Sequence, residues 1–503
     1  MPESAATRII TEANAYKLFA SLLVDPSKAP YNVRFDGDAT PAVVTQNTSG
    51  LQAALNAGGL IALPAGTAII DGDLAIGSYT HVQGRGEGVT TIKIKNGAGW
   101  DARGFYFKAR STQSSLRGLT VDGNQPNRNL VGGSGGIYGT NVSVINSTYI
   151  HIEHVRSINA VQHCFDVTTP YYGDAGDGAT IPDPSEYVWI TDCYADQHGD
   201  DGFTTHGSGK IWFTRCTSMG TWWKNLTDYT NANGFEIDDY SYDVTLTDCH
   251  AEDNAHGFEI KAHGNMSAAR NVRLIGCTAT KNQVNFSLRH IGHHTMNNGA
   301  GVNYPQSLTA KNVQFIGCTS KFPQRVFYGV PDDYDGDTID PELPTGTNYS
   351  ALVIGAYRGV TITNFHAIGD PTYNYNGAPV IVFHYRCEDI IIDGYHVEGH
   401  TTSNWDIQST GGDQPAKNVT IANGVHRDSA IGGISTGSLS NAIVQNVTLS
   451  RTVAGSANGV GIRVYGNRIV RGNRFATAYS PNYSVSDTAY SVYETPLATN
   501  VLA

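Results

Sequence analysis

Long apolar runs are missing from this chain. No stretch approaches the roughly 20 residues that a bilayer-spanning helix needs. Charge is sparse as well: Asp, Glu, Lys and Arg make up 16% of 503 residues. Basic residues are the scarcer kind, 33 against 45 acidic, giving a formal charge of −12. That balance argues against nucleic acid or an anionic membrane as the main partner. A glycan, neutral or acidic, stays open, because a local basic cluster can sit on an acidic protein. The N-terminus lacks the basic, apolar, small-residue order of a secretory signal. Export is therefore expected by lysis or assembly, or after removal of a signal. Cysteine is few and odd: seven residues cannot all pair within one chain.

What the chain has instead is turns and short β-runs. Its 56 Gly and 27 Tyr, with abundant Asn and Thr, suit an all-β chain rich in turns. Runs such as YVWITDC, KIWFTRC, DVTLTDC, NVRLIGC, NVQFIGC, GVTITNF and NVTIANG follow one another at starts some 20 to 40 residues apart. That is the signature of a β-solenoid, in which coils stack because one strand cannot hide its apolar side alone. Five of these runs end in Cys193, Cys216, Cys249, Cys277 and Cys318. Their spacings of 23, 33, 28 and 41 residues match no zinc motif, so a column of reduced thiols filling a narrow interior is expected.

A second pattern is superposed. HCFDVTT, DGFTTHG, NGFEIDD, HGFEIKAH and VNFSLRH each carry a Phe (165, 203, 235, 258, 286) followed two residues later by Val, Thr, Ile, Ile or Leu. Strand side chains alternate faces, so these positions are expected to face the core. The set on the other face is Asp166/Thr168, Thr204/His206, Glu236/Asp238, Glu259/Lys261 and Ser287/Arg289. Stacked about 4.8 Å apart as parallel strands, they are expected to form one exposed patch of acids and bases.

Around this body, Ile9–Val24 reads as an amphipathic helix ending before Asp25 and Pro26, suited to capping the first coil. NTSGLQAALNAGG reads as a second short helix. Insertions fall at 170–185, 219–232, 293–309 and 331–347; the three of them that adjoin the Phe-led strands are expected to wall a groove over the patch, since loops on a rigid scaffold usually carry specificity.

The opening NTSGLQAALNAGGLIALPAG resembles the entry to the right-handed parallel β-helix of the pectin-lyase-like superfamily, over about residues 40–475. The stretches GDDGFTTHGSGKIWFTRC, NGFEIDD, GFEIKAHGNMSAARNV and RHIGHH resemble phage and prophage tail-spike-type polysaccharide depolymerases. The resemblance implies an all-β fold with a helical N-terminal cap over 1–40, a catalytic β-helix over 41–475 and a tail over 476–503. It also implies a polysaccharide partner, an extracellular or virion-associated setting and a homotrimer.

Glycoside hydrolysis needs two carboxyl groups, about 5–5.5 Å apart for retention or 6.5–9.5 Å for inversion. Glu236 and Glu259 share a position in consecutive coils, and Asp238 lies about 7 Å along the same face. Like charges that close are expected to raise one pKa and create the protonated acid. The alternative is an acidic ladder neutralised by Lys261 and Arg289. Asp200 and Asp201, following Asp166 one coil earlier, are similar to the acid and base aspartates of polygalacturonase-type hydrolases, although Phe258-Glu259 stands where that family's Arg would be. They also suit a Gly-containing turn.

A rival chemistry uses the bases. In β-helix lyases and C5-epimerases a base takes the proton alpha to a uronate while cations stabilise the enolate; Phe165-Asp166 resembles part of an epimerase motif. Asp166, His206, Asp239, Lys261, His263, Arg289 and His290 are the expected substrate contacts. Trp222 and Trp223 are expected to stack on sugar, with Tyr240 and Tyr242 nearby, whereas Trp189 and Trp212 lie inside β-runs and suit core packing. No cofactor is expected, although Asp333, Asp335 and Asp337 weakly resemble a calcium loop. A hydrolase leads, ahead of a lyase or epimerase and a non-catalytic glycan binder.

Overall fold

The computed structural model describes residues 23–130, 139–171, 181–221, 232–262, 266–290, 310–324, 350–384, 386–409, 416–437, 439, 441–450, 460–464, 468–475, 483–485 and 492–493. Among them the strands form two parallel sheets, one of 28 strands and one of 14. One full coil shows the plan. Phe203–Thr205 lies in the smaller sheet, and Gly209–Thr214 and Thr217–Thr221 lie in the larger one. Each pairs in parallel with its counterpart one coil on. The chain is thus a parallel β-helix, and the Phe-led strands fall together on one face.

The corner between the two strands of the larger sheet explains its sequence pattern. The residue before each corner cysteine has a left-handed backbone: Asp192, Arg215, Asp248, Gly276 and Gly317, with φ from 51° to 64°. Asp and Gly suit that conformation. Arg215 is the exception, and its guanidinium is held by both carboxylate oxygens of Asp192 at 2.7 Å. Inside the corner, the five cysteines are free and buried. Four of them donate to carbonyl oxygens of the coil before, as Cys216 Sγ does to Ile190 at 3.3 Å. The thiols therefore fill the interior, as their spacing suggested.

Helix Pro41–Ala57 begins six residues before the expected Asn47, with Thr40 at the N-cap and Pro41 in the first turn, where its missing N–H is harmless. Leu51, Ala54 and Leu55 pack on the first coil's core. Its polar face pairs with the open sheet edge: Asn47 Nδ2 donates to Ile69 O, the Asp71 N–H to Thr48 Oγ1, and Gln52 both accepts from and donates to Ala75. This covers the first edge, which would otherwise offer unpaired backbone to another strand. The expected helix over 9–24 is corrected at its end: Leu23–Val24 is a strand paired with Leu60 and Ile61. The rest of that segment lies outside the described residues. Strands Tyr483–Val485 and Val492–Tyr493 fall where a tail was expected.

Candidate active site

The five Phe-led segments lie in register. Phe165, Phe203, Phe235, Phe258 and Phe286 are Cα partners in series. Their rings stack with centroids 4.7, 4.7, 4.9 and 5.2 Å apart. Offset stacks of this kind add to the area they bury. On the opposite face, Asp166, Thr204, Glu236, Glu259 and Ser287 form one column, and Lys261 pairs with Arg289 in the next.

The charged groups of these columns pair diagonally, each cation with the carboxylate of the coil before. His206 Nδ1 is 3.0 Å from Asp166 Oδ1 and Lys261 Nζ is 2.7 Å from Glu236 Oε1. Arg289 reaches Glu259 through Nε, and through Nη2 at 3.1 Å. Glu236 also accepts from Thr204 Oγ1 at 2.9 Å and from Asn233 Nδ2 at 3.0 Å. His206 Nε2 lies 3.8 Å from both Glu236 and Asp238.

The expected exposed patch is corrected here. Asp166, Asp201, His206, Glu236, Asp238, Asp239, Glu259, Lys261, Arg289 and His290 are all buried. Buried charges persist only when paired and hydrogen-bonded, which is what the diagonal ladder provides. Asp200 is the exception among the site residues, with its side chain 25% exposed. His290 Nε2 meets the Met266 carbonyl at 3.0 Å. Tyr240 is buried, and Tyr242 belongs to the other sheet, its hydroxyl on Glu186. Trp222, Trp223, His263, Asp333, Asp335 and Asp337 lie outside the described residues.

Burial also redistributes the protons. Glu236 and Glu259 do not supply the expected protonated acid. Burial works to raise both, but Lys261 and His206 hold Glu236 well below the usual carboxylate range, and Arg289 and His256 hold Glu259 down to about 2. The raised carboxyls are Asp200 and Asp201. Burial lifts Asp201 far up, and the charges of Glu236 and Asp200 add to it. Burial lifts Asp200 too, against the pull of His163.

His163, Asn233 and His256, each two residues before a Phe, were not among the expected site residues, since period-two alternation alone puts such positions on the core side. They join the acid cluster instead. His163 Nδ1 is 3.1 Å from Asp201 Oδ2, the Asn233 N–H donates to Asp201 Oδ1, and His256 Nδ1 stands 2.8 Å from Asn233 Oδ1 and 3.6 Å from Glu259. The available signal was that four of the five positions are polar, where true core positions are Phe or aliphatic. Two groups, His163/Asp200/Asp201 and His206/Glu236/Asp238, each bring ligand atoms within 4.8 Å and have donors a divalent cation accepts.

The histidines dictate a pH dependence. His206 is raised to about 9: burial opposes it, but Asp166 and then Asp238 and Glu236 hold the proton. Its stabilisation is complete below the unfolded value near 6.5 and is lost as pH rises through about 9. Asp201, raised as an acid, acts in the same sense. His198, His256 and His400 are pushed by burial down to about 4. Their stabilisation is complete above 6.5 and is lost as pH falls towards 4, on the order of 3 kcal/mol each. The melting temperature is therefore expected to peak near pH 6.5, with His206→Gln flattening the alkaline side. A wild-type curve level from pH 6.5 to 9 would contradict the charged His206.

Residues 31–259 match the family model described as rhamnogalacturonase A/epimerase, pectate lyase-like. The phage-related protein YobO of Bacillus subtilis (strain 168) is 31% identical over 440 residues, 86% of this chain and 51% of that protein. The pre-neck appendage protein of Bacillus phage phi29 is 31% identical over 432 residues, 83% of this chain and 46% of that one. This chain thus spans about half the length of those relatives. The crystal structure of pre-mature phi29 gene product 12 superposes with a TM-score of 0.77 at 25% identity, covering 96% of this chain and 59% of that one. Residues 31–259 thus match a pectate lyase-like family model, within a chain folded throughout its described residues as a parallel β-helix.

Proposed function

We propose that this chain is a polysaccharide-cleaving hydrolase carried on a phage appendage, with Asp200 as proton donor and Glu236 as the fixed negative charge. The observation that carries it is the pairing of unlike carboxyls in one cluster: Asp200 and Asp201 raised, Glu236 lowered, and Asp200 mostly buried yet the only one of the three with an appreciable exposed fraction, 25% of its side chain. Two carboxyls driven apart in this way are the usual mark of an acid and its ionised companion. In the step proposed, the glycosidic C–O bond breaks as its oxygen takes the Asp200 proton. The positive charge that develops on the sugar is stabilised by Glu236; water supplies the new hydroxyl and its other proton returns to the Asp200 carboxylate. Asp201, His163 and Asn233 hold the two groups apart in protonation. Glu259 is reassigned from catalysis to the Arg289 pair. The setting rests on the phi29 relative, whose name makes it an appendage protein.

A lyase is placed behind because His206, Lys261 and Arg289 already face Asp166, Glu236 and Glu259. Product analysis on a panel of bacterial wall and capsule glycans separates the classes. New reducing ends are expected. Unsaturated, ultraviolet-absorbing products would establish the lyase instead, and no product on any glycan would leave a binder.

A further inference from the structure

The outward face of the larger sheet carries a groove of about 630 Å³ that has no part in the acid cluster. Its floor is one column of Cα partners, Trp212, Thr245, Arg273, Gln314 and Thr361, crossing five strands. Four steps of about 4.8 Å give it a length of roughly 19 Å along the helix axis. The column begins as an aromatic ladder. His151 and Trp189 stack at 4.5 Å, and Trp189 and Trp212 at 5.1 Å. The ladder stops there, because Thr245 has no ring. One indole face of Trp212 is covered by Trp189, and the other overhangs Thr245 at the end of the groove.

The side of the groove is a rail of oriented amides. Asn312 Nδ2 donates to Asn271 Oδ1 at 3.0 Å, and Asn271 Nδ2 donates to Asp243 Oδ1 at 2.9 Å. The rail ends at Gly359, where a Cβ would stand 3.2 Å from Asn312 Oδ1, so the position is kept open. Among the charges, Lys210 is held by Glu186 at 2.9 Å. Arg273 is exposed and makes no ion pair or hydrogen bond among the described residues.

We infer that this groove is a second glycan-binding site, for an acidic polysaccharide, with a sugar ring stacked on Trp212 and an acid group of the chain held by Arg273. A flat apolar face, a line of amides and an unpaired guanidinium roughly 10 Å away along the column match a ligand with ring faces, hydroxyls and regularly spaced negative charge. A guanidinium is well suited to a carboxylate or phosphate because it offers a planar pair of donors. No pair of carboxyls lines this groove as Asp200 and Glu236 do the acid cluster, so its role is retention. A chain held here while another stretch visits the acid cluster raises the local substrate concentration without new chemistry. The inference stands whether or not the acid cluster cleaves.

Affinity electrophoresis of the whole chain through gels containing alginate, polygalacturonate or neutral dextran tests it. Retardation by at least one polyanion, weakened by salt, and none by dextran, is expected. Arg273→Ala and Trp212→Ala are each expected to weaken that binding about tenfold, the effect typical of Arg and Trp anchors. Thr245→Trp, which fills the groove beneath the open face of Trp212, should abolish it. Asp200→Asn should bind as wild type. Equal retardation of wild type, Arg273→Ala and Thr245→Trp, or loss in Asp200→Asn alone, would overturn the inference, as would a wild type that neither polyanion slows.

Discussion

Arg289→Met is expected to destabilise the fold by about 3–5 kcal/mol, the cost of stranding one partner of a buried ion pair. Arg289 and Glu259 are both fully buried, and Glu259 depends on that guanidinium for its low pKa of about 2. Without it, the carboxylate keeps Ser287 Oγ at 3.4 Å, His256 at 3.6 Å and the charge of Lys261, which is already paired with Glu236; His256 is held neutral by burial. Glu259 would then protonate or draw in water. The double variant Glu259→Gln, Arg289→Met removes both charges and should recover most of the loss, because apolar replacement of a whole buried pair is often neutral. Denaturant midpoints of the three proteins measure this. A single variant as stable as wild type would show that solvent reaches Glu259, and would undo its structural assignment.

The second large effect is on turnover. Asp200→Asn is expected to lower kcat by about 10²–10⁴-fold, the usual worth of a general acid, with the unfolding midpoint unchanged. Asn keeps the shape of a neutral carboxyl, and Asp200 has a raised pKa. The sign follows from that direction. The protonated, active form exists below the raised pKa and is lost as pH rises through it. Wild-type kcat should therefore fall on the alkaline side, and the residual rate of the variant should not. A kcat–pH profile on whichever glycan is cleaved gives both readings. Full turnover in Asp200→Asn, or the same alkaline fall in both proteins, would remove Asp200 from the role of acid.

Much of the scaffold was legible because it is periodic. Phe at 165, 203, 235, 258 and 286 recurs at one place in a period-two strand, and only a stack buries it. The corner cysteines were legible for the same reason. Alternation also gave the faces of Glu236, Glu259, Lys261 and Arg289 correctly, but a face is a direction and does not say what covers it. Burial of that column, and with it the reversal of the expected acid from the Glu236/Glu259 pair to Asp200/Asp201, depends on the summed charge around each group. No spacing encodes that sum.

Two other departures had signals in the text. Trp189 and Trp212 suited the core as large apolar residues, yet each is flanked by apolar neighbours, Val188 and Ile190 or Ile211 and Phe213, whose side chains take the inward positions. The same alternation that placed the Phe column puts both indoles outside. Helix Pro41–Ala57 announced its start by Thr40-Pro41, ahead of the residues that carried the family resemblance.

Infrared spectroscopy of the carboxyl groups at pH 7 tests the unlike protonation most directly. A carbonyl band from a protonated, buried carboxylic acid is expected in the wild type, diminished in Asp201→Asn and retained in Glu236→Gln. A spectrum in which every carboxyl is ionised, or a band untouched by Asp201→Asn, would contradict a protonated Asp201 beside an ionised Glu236.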